Sequence, residues 1–217
     1  MTSFHIAILG AGDIGSTLGR KWAGANHTIA FGVKDPSSER TQNLRAELDI
    51  LIGSPTEALA QSDIVLLAVP GSAVAEVITT HAELLDYKII IDATNQLIKG
   101  KTAATGQWQA NGALNSLSTL QANVPHAQVY RAFNSYAWEA FADPIYQGVQ
   151  ADLFYCGPDG DALPIVEQLI AEIGLRPVRL GGLDQIEVVD GILQLWASLA
   201  LFQGKGRNNV AFKMLTR

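Results

Sequence analysis

Phe4-His5-Ile6-Ala7-Ile8-Leu9-Gly10-Ala11-Gly12-Asp13-Ile14-Gly15 begins as an apolar run of strand length and passes at once into a glycine turn. A helix-compatible segment follows to about Ala23, and a second apolar run, Thr28-Ile29-Ala30-Phe31, closes the unit. The spacing Gly-x-Gly-x-x-Gly alone is a weak signal, but between a predicted strand and a predicted helix, in a unit of roughly 30 residues, it has the context a dinucleotide site requires. Gly10 makes the tight turn, Gly12 leaves the backbone bare against a pyrophosphate, and Gly15 lets the helix close on the strand. The free N–H groups at the helix start, with Ala11, Asp13 and Ile14 in the turn, then face the phosphates.

The end of the second strand distinguishes the two nicotinamide dinucleotides. An acidic residue there would hydrogen-bond the adenosine ribose and repel a 2′-phosphate. Here the strand runs into Gly32-Val33-Lys34-Asp35-Pro36-Ser37-Ser38-Glu39-Arg40. The first charge is basic, which favours NADP, with Lys34 as the main 2′-phosphate partner and Ser37, Ser38 or Arg40 as helpers. Asp35 is either a turn residue before Pro36 or a ribose ligand that shifts the preference towards NAD.

With 217 residues, 48% of them apolar, the chain is long enough for one α/β domain and a modest extension. A net charge of −6 argues against a general nucleic-acid binder, which would carry a basic stripe. The single cysteine, Cys156, permits no internal disulfide and fits a reducing cytoplasm; as a strand residue it reads as a small buried hydrophobe. No basic region precedes Phe4, so no targeting segment is expected and a cytoplasmic location follows. The apolar segment 186–202 is interrupted by Glu187, Asp190 and Gln194, which argues against a membrane span.

Strand and helix patterns alternate down the chain. A polar helix follows Pro36, a short strand ends at Gly53, and Ser54-Pro55-Thr56-Glu57 has the form of a capping box with proline in the first turn. The runs 63–70 and 88–95 read as strands covered on both faces, with one helix from Ser72 to about Leu85 between them. Residues 96–115 have turn composition and no period, which suits a functional lid or mobile loop. Ser116 is expected to cap a helix to about Asn123, followed by strands at 128–133, 152–156 and 176–180 and helices at 136–141 and 162–173. This alternation predicts a Rossmann-type doubly wound parallel sheet with ligands at the carboxyl ends of its strands. Val69 and Pro70 would there form a stiff apolar wall beside the nicotinamide. Asn95 would bring an amide to the same mouth or serve as a turn residue. Gly181-Gly182 marks the boundary between a domain of residues 1–180 and a C-terminal helical element, 181–217. The helix is apolar on most sides and so needs cover from the first domain and from a second subunit.

With these segments placed, the chain resembles the deazaflavin-dependent NADP reductases, the NADPH:coenzyme F-420 oxidoreductases and their bacterial relatives, over essentially its whole length. The resemblance rests on Ile8-Leu9-Gly10-Ala11-Gly12-Asp13-Ile14-Gly15, Gly32-Val33-Lys34, Ala68-Val69-Pro70, Asp92-Ala93-Thr94-Asn95, Arg131-Ala132-Phe133-Asn134 and the apolar helix ending in Gly204-Lys205-Gly206-Arg207. It implies an N-terminal NADP domain and a small C-terminal portion that completes the acceptor pocket and a homodimer. It also implies a 2′-phosphate contact at Val33-Lys34, although Val33 stands where a hydroxyl residue often accompanies the basic one. Asn134-Ser135-Tyr136 replaces a histidine-containing version of that segment.

Hydride transfer between stacked rings asks for carbons held within roughly 3–3.5 Å, a matter of position rather than acid–base chemistry. That fits the absence of a Tyr-x-x-x-Lys pair, a metal-spaced His/Cys cluster or a glycine-flanked serine in the sequence. Three readings follow. The first passes hydride from NADPH to a flavin-like or deazaflavin ring, with Asn95 and Asn134 positioning the rings. The second reduces a small carbonyl or imine, with Tyr136 as proton donor and Asn134 beside it. The third is a non-catalytic protein that senses NADP.

Overall fold

The computed structural model describes residues 2–48, 50–96 and 113–217. Six strands form one parallel sheet: β1 (His5–Leu9), β2 (Thr28–Gly32), β3 (Leu51–Gly53), β4 (Ile64–Leu67), β5 (Ile89–Asp92) and β6 (Gln128–Arg131). Their order is β3-β2-β1-β4-β5-β6, so the direction of winding reverses between β1 and β4, where an open α/β sheet binds its ligand. The Rossmann-type expectation holds.

Helices cover both faces. On one lie α1 (Asp13–Gly24) and α2 (Glu39–Glu47); the others of the first half are α3 (Pro55–Ala60), α4 (Gly71–Thr80) and α5 (Ala82–Leu85). The two faces of the sheet bury separate apolar clusters, one around Ile8, Leu18, Trp22 and Phe31, the other around Leu9, Leu67, Ile78 and Ile90. This explains why the strands read as unbroken apolar runs. The capping box of α3 is complete: the Glu57 N–H donates to Ser54 Oγ, and the Ser54 N–H to the Glu57 carboxylate at 2.7 Å. The single helix expected from Ser72 to Leu85 is broken at His81. Thr79 folds its hydroxyl back onto the carbonyls of Ala75 and Glu76, a competition that weakens the last turn of α4.

After β6 the chain leaves the main sheet. Helix α6 (Leu117–Asn123) precedes β6, and α7 (Trp138–Ala142) and a hairpin of β7 (Ile145–Tyr146) and β8 (Val149–Gln150) follow it. Strands β9 (Asp152–Tyr155) and β10 (Arg176–Arg179), joined by α8 (Ala162–Glu172), make a parallel pair of their own. An antiparallel bridge between Arg131 and Cys156 ties this pair to the end of β6. Cys156 is fully buried beside Ile186 and Val189, and burial pushes its thiol up to about 12, so it packs rather than reacts.

The C-terminal element holds α9 (Ile186–Ala197) and a π-helical turn, Ser198–Phe202. By length and apolar content Leu183–Phe202 is long enough to cross a membrane. Ile186, Val189, Asp190, Leu193, Trp196 and Ala197 are buried against the rest of the chain, while Val188 and Leu195 on the other side stay about half exposed. The lid expected over 96–115 lies largely outside the described residues. Its two ends are pinned together, the Gln96 N–H donating to the Leu114 carbonyl at 2.8 Å.

Candidate dinucleotide site

The glycine turn lies at the switch point. Gly10 has φ 107°, and a Cβ there would stand 2.6 Å from the Ala68 carbonyl oxygen at the carboxyl end of β4. At Gly15 a Cβ would stand 2.1 Å from the Gly10 carbonyl oxygen. Gly12 differs: its nearest neighbour would be Arg40 Nη1 at 4.0 Å, so the space above it is open. Gly12 also caps α1 without any side chain, which leaves the first N–H groups of the helix for a ligand. Two glycines thus serve close packing, and the third leaves room for a diphosphate. Ala11 is buried beneath the turn, while Asp13 stands exposed in the first helical turn with Ile14 half-buried beside it.

At the end of β2, Val33 is buried and its N–H donates to the Gly53 carbonyl at 2.9 Å. Lys34 is exposed and makes no ion pair among the described residues. Asp35 is a turn residue: its carboxylate accepts from the Ser37 N–H at 2.9 Å and from the Ser37 hydroxyl at 2.5 Å. Hydrogen bonds from Ser37 hold that carboxyl below its ordinary range. Ser38 bonds the Thr41 hydroxyl at 2.8 Å, and Arg40 pairs with Asp13. Of the phosphate partners expected from the sequence, Lys34 is the cation left free.

The end of the cleft expected from the sequence to face a nicotinamide is formed by β4, β5 and β6. Val69 is half-exposed and Pro70 exposed at the start of α4. A Cβ on Gly71 would lie 2.3 Å from the Asn95 carbonyl oxygen, so the ends of β4 and β5 are packed tightly together. Behind them lies a polar network. Arg131, fully buried, donates through Nε to Asp190 at 2.8 Å, through Nη2 to Asn95 Oδ1 at 2.9 Å and through Nη1 to the Thr94 carbonyl. Its guanidinium also lies 3.2 Å from the Asp92 carboxylate. Asp92 in turn accepts from the Thr94 N–H at 2.9 Å and the Ser116 N–H at 3.0 Å.

Asn95 donates its amide to the Asn134 carbonyl at 2.9 Å, and Asn134 donates its own to Asp190 at 3.2 Å. The structure brings these two expected residues together. The preceding residue, Phe133, has φ 59°, uncommon for a bulky side chain, and is gripped edge-on by Trp22 and Phe141. That turn carries Asn134 inward.

Two expectations are corrected. Ser116 does not cap α6 with its side chain; its hydroxyl meets Thr94 Oγ1 at 3.0 Å within the network. Tyr136 is not placed as a proton donor. Its buried phenol donates to the Asp152 carbonyl at 2.8 Å and accepts from the Phe212 N–H at 3.1 Å, so it clasps the C-terminal segment. Burial raises its hydroxyl far above the ordinary range, which further disfavours ionisation. The histidines offer no substitute at this mouth: His27 and His126 are held by Glu172 and Asp86.

Sequence reasoning missed Arg131 and Asp190 as members of the site. The available signal was a charge at the end of an apolar strand and another on the apolar side of a helix, positions where ionised residues are rarely buried without partners.

Comparison with known proteins agrees with this geometry. Residues 5–96 match the family model described as NADP oxidoreductase coenzyme F420-dependent. A protein named F420-dependent NADP reductase from Methanothermobacter thermautotrophicus is 25% identical over 207 residues, covering 89% of this chain and 88% of its own length. Its namesake from Methanothermobacter marburgensis is 26% identical over the same length. Among solved structures, a candidate F420-dependent NADP reductase from Arthrobacter sp. FB24 superposes with a TM-score of 0.83 at 22% identity, covering 95% of this chain and 97% of that one. Over residues 5–96 this chain is therefore similar to the coenzyme F420-dependent NADP oxidoreductases, and over nearly its whole length to the two Methanothermobacter reductases.

Proposed function

We propose that this protein is an NADP-dependent oxidoreductase that passes hydride between NADP(H) and the deazaflavin coenzyme F-420. The observation that carries the NADP half is the open cradle over Gly12 with Lys34 as a free cation at the end of β2. The acceptor half rests on the likeness to the Methanothermobacter reductases along nearly the whole chain.

The bare N–H groups at the start of α1 hold the diphosphate, and Lys34, with Ser38 at the start of α2, holds the 2′-phosphate. Val69 and Pro70 wall the nicotinamide, and Asn95 and Asn134 set the orientation of the rings. When bound, NADPH supplies the hydride; the chain binds, orients and excludes water. Carbonyl or imine reduction is disfavoured because the Tyr136 hydroxyl is committed elsewhere.

Residues 1–180 form the dinucleotide domain and residues 181–217 the element that completes the acceptor pocket. Val188 and Leu195, each about half exposed on α9, continue with Ile192 and Leu199 into an apolar stripe that suits a second copy of the chain. A cytoplasmic homodimer follows, without nucleic-acid or membrane partners.

Loss of the NADPH absorbance band on adding oxidised deazaflavin, a free flavin or a panel of carbonyls tests the reading. Consumption with the deazaflavin is expected. Tight NADPH binding without turnover of any acceptor would overturn it in favour of a nucleotide-sensing protein.

A further inference from the structure

Asp190 is where α9 enters the nicotinamide end of the cleft. Its Oδ1 accepts from Arg131 Nε at 2.8 Å and Asn134 Nδ2 at 3.2 Å, and lies 2.7 Å from Arg131 Nη2; its Oδ2 accepts from Asn115 Nδ2 at 2.8 Å. A carboxylate can only accept, so Asn115 and Asn134 must both present their NH2 groups to it. Arg131, held by Asp190, donates to Asn95 Oδ1 at 2.9 Å and so turns the Asn95 NH2 towards the Asn134 carbonyl. The orientation of both amides at the mouth thus descends from one carboxylate on the C-terminal helix.

The consequence for Asn134 is unusual. The residue is 1% exposed, and with its NH2 taken by Asp190 its Oδ1 is buried with no donor among the described residues; the hydroxyl of Ser135 next to it likewise has no partner among them. Stability alone does not explain the arrangement. An arginine with two aspartates in a dry interior adds little over apolar residues of the same volume, whereas a fixed orientation of polar groups needs such a frame.

We propose that Asp190 is a positioning residue for hydride transfer, through which the C-terminal element orients Asn95 and Asn134 around the nicotinamide. This rests on the reductase reading above. Asp190 touches neither cofactor nor acceptor; it acts through Arg131 and Asn134.

The substitution D190N keeps the volume but presents an NH2 to a ring of donors. With N115D added, the carboxylate moves to the other side of the same contact, and it can still accept from the Leu117 N–H that Asn115 Oδ1 now serves at 3.1 Å. In the full-length protein, D190N is expected to bind NADPH within about twofold of wild type, because the phosphate contacts lie elsewhere. Single-turnover hydride transfer to the deazaflavin should fall about 30-fold, as for a small misplacement of reacting groups, and N115D/D190N should recover most of that loss.

A wild-type rate in D190N overturns the proposal. So does a loss that tracks melting temperature and is recovered by a stabilising osmolyte as well as by N115D. Should the wild type itself transfer no hydride, the reductase reading fails separately. The proposal is then judged on the fluorescence of bound NADPH, where an unchanged emission in D190N overturns it and a shifted one supports it.

Discussion

Arg40, in the first turn of α2, reaches over the glycine turn to pair with Asp13 in the first turn of α1. Both side chains are more than half exposed. The pair neutralises a carboxylate that would otherwise repel a diphosphate at the helix start, and it also withholds the guanidinium from a 2′-phosphate nearby. Removing the carboxylate should therefore help the ligand twice. D13N is expected to bind NADPH about two- to fivefold tighter, the scale of an exposed ion pair. Titration at two ionic strengths checks this, since the gain must shrink as salt screens the site. Weaker binding by D13N would show that Asp13 itself contacts the cofactor.

On the proposed reading, Lys34 distinguishes the two dinucleotides. K34A is expected to weaken NADPH about tenfold and leave NADH unchanged, as for one charge-assisted contact to a phosphate. The ratio of the two dissociation constants is the readout. An equal loss for both ligands would place Lys34 away from the 2′-phosphate.

The sheet was legible because its strands carry unbroken apolar runs, and the turn because its glycines sit between strand and helix. Asp35 could be read as a turn residue from the Pro36 that follows it, and the Ser37 contacts bear that out. What pattern could not supply was the meaning of isolated charges. Arg131 and Asp190 stand 59 positions apart, and nothing in the local periodicity of either segment says that they meet. Tyr136 misled for a related reason: its place after β6 suggested a mouth residue, but the C-terminal segment folds back and takes its hydroxyl.

The glycines of the turn should separate binding from folding. At Gly12 an added methyl meets open space, so G12A should melt as the wild type does while binding NADPH at least about tenfold more weakly, since the backbone can no longer approach the diphosphate. At Gly15 the methyl meets the Gly10 carbonyl oxygen at 2.1 Å, so G15A should melt several degrees lower even without ligand. Paired melting and titration data decide, and a destabilised G12A would mean that the cradle is narrower than it looks.

The C-terminal segment depends on one buried carboxylate. Asp152, with its side chain wholly buried at the start of β9, accepts from Arg176 at 2.6 and 2.7 Å, from Lys213 at 3.1 Å and from the Met214 N–H at 2.6 Å. Burial on its own would raise this carboxyl, but the bonds from Arg176, the Met214 N–H and Lys213 outweigh it and hold the group below its ordinary 3.8. A depressed folded value means that the stabilisation is fully present above 3.8 and is lost as pH falls through the lower folded value. Acid should therefore loosen the tail from β9. Trp196 reports the event, because its indole N–H donates to the Val210 carbonyl at 3.0 Å within that segment. D152N should produce the same loosening at neutral pH, at a cost of about 1–2 kcal/mol, less than for a wholly buried pair because Arg176 and Lys213 are about one third exposed, and should flatten the acid transition in Trp196 fluorescence. A D152N protein that keeps the wild-type acid transition would assign the pH dependence to other carboxylates.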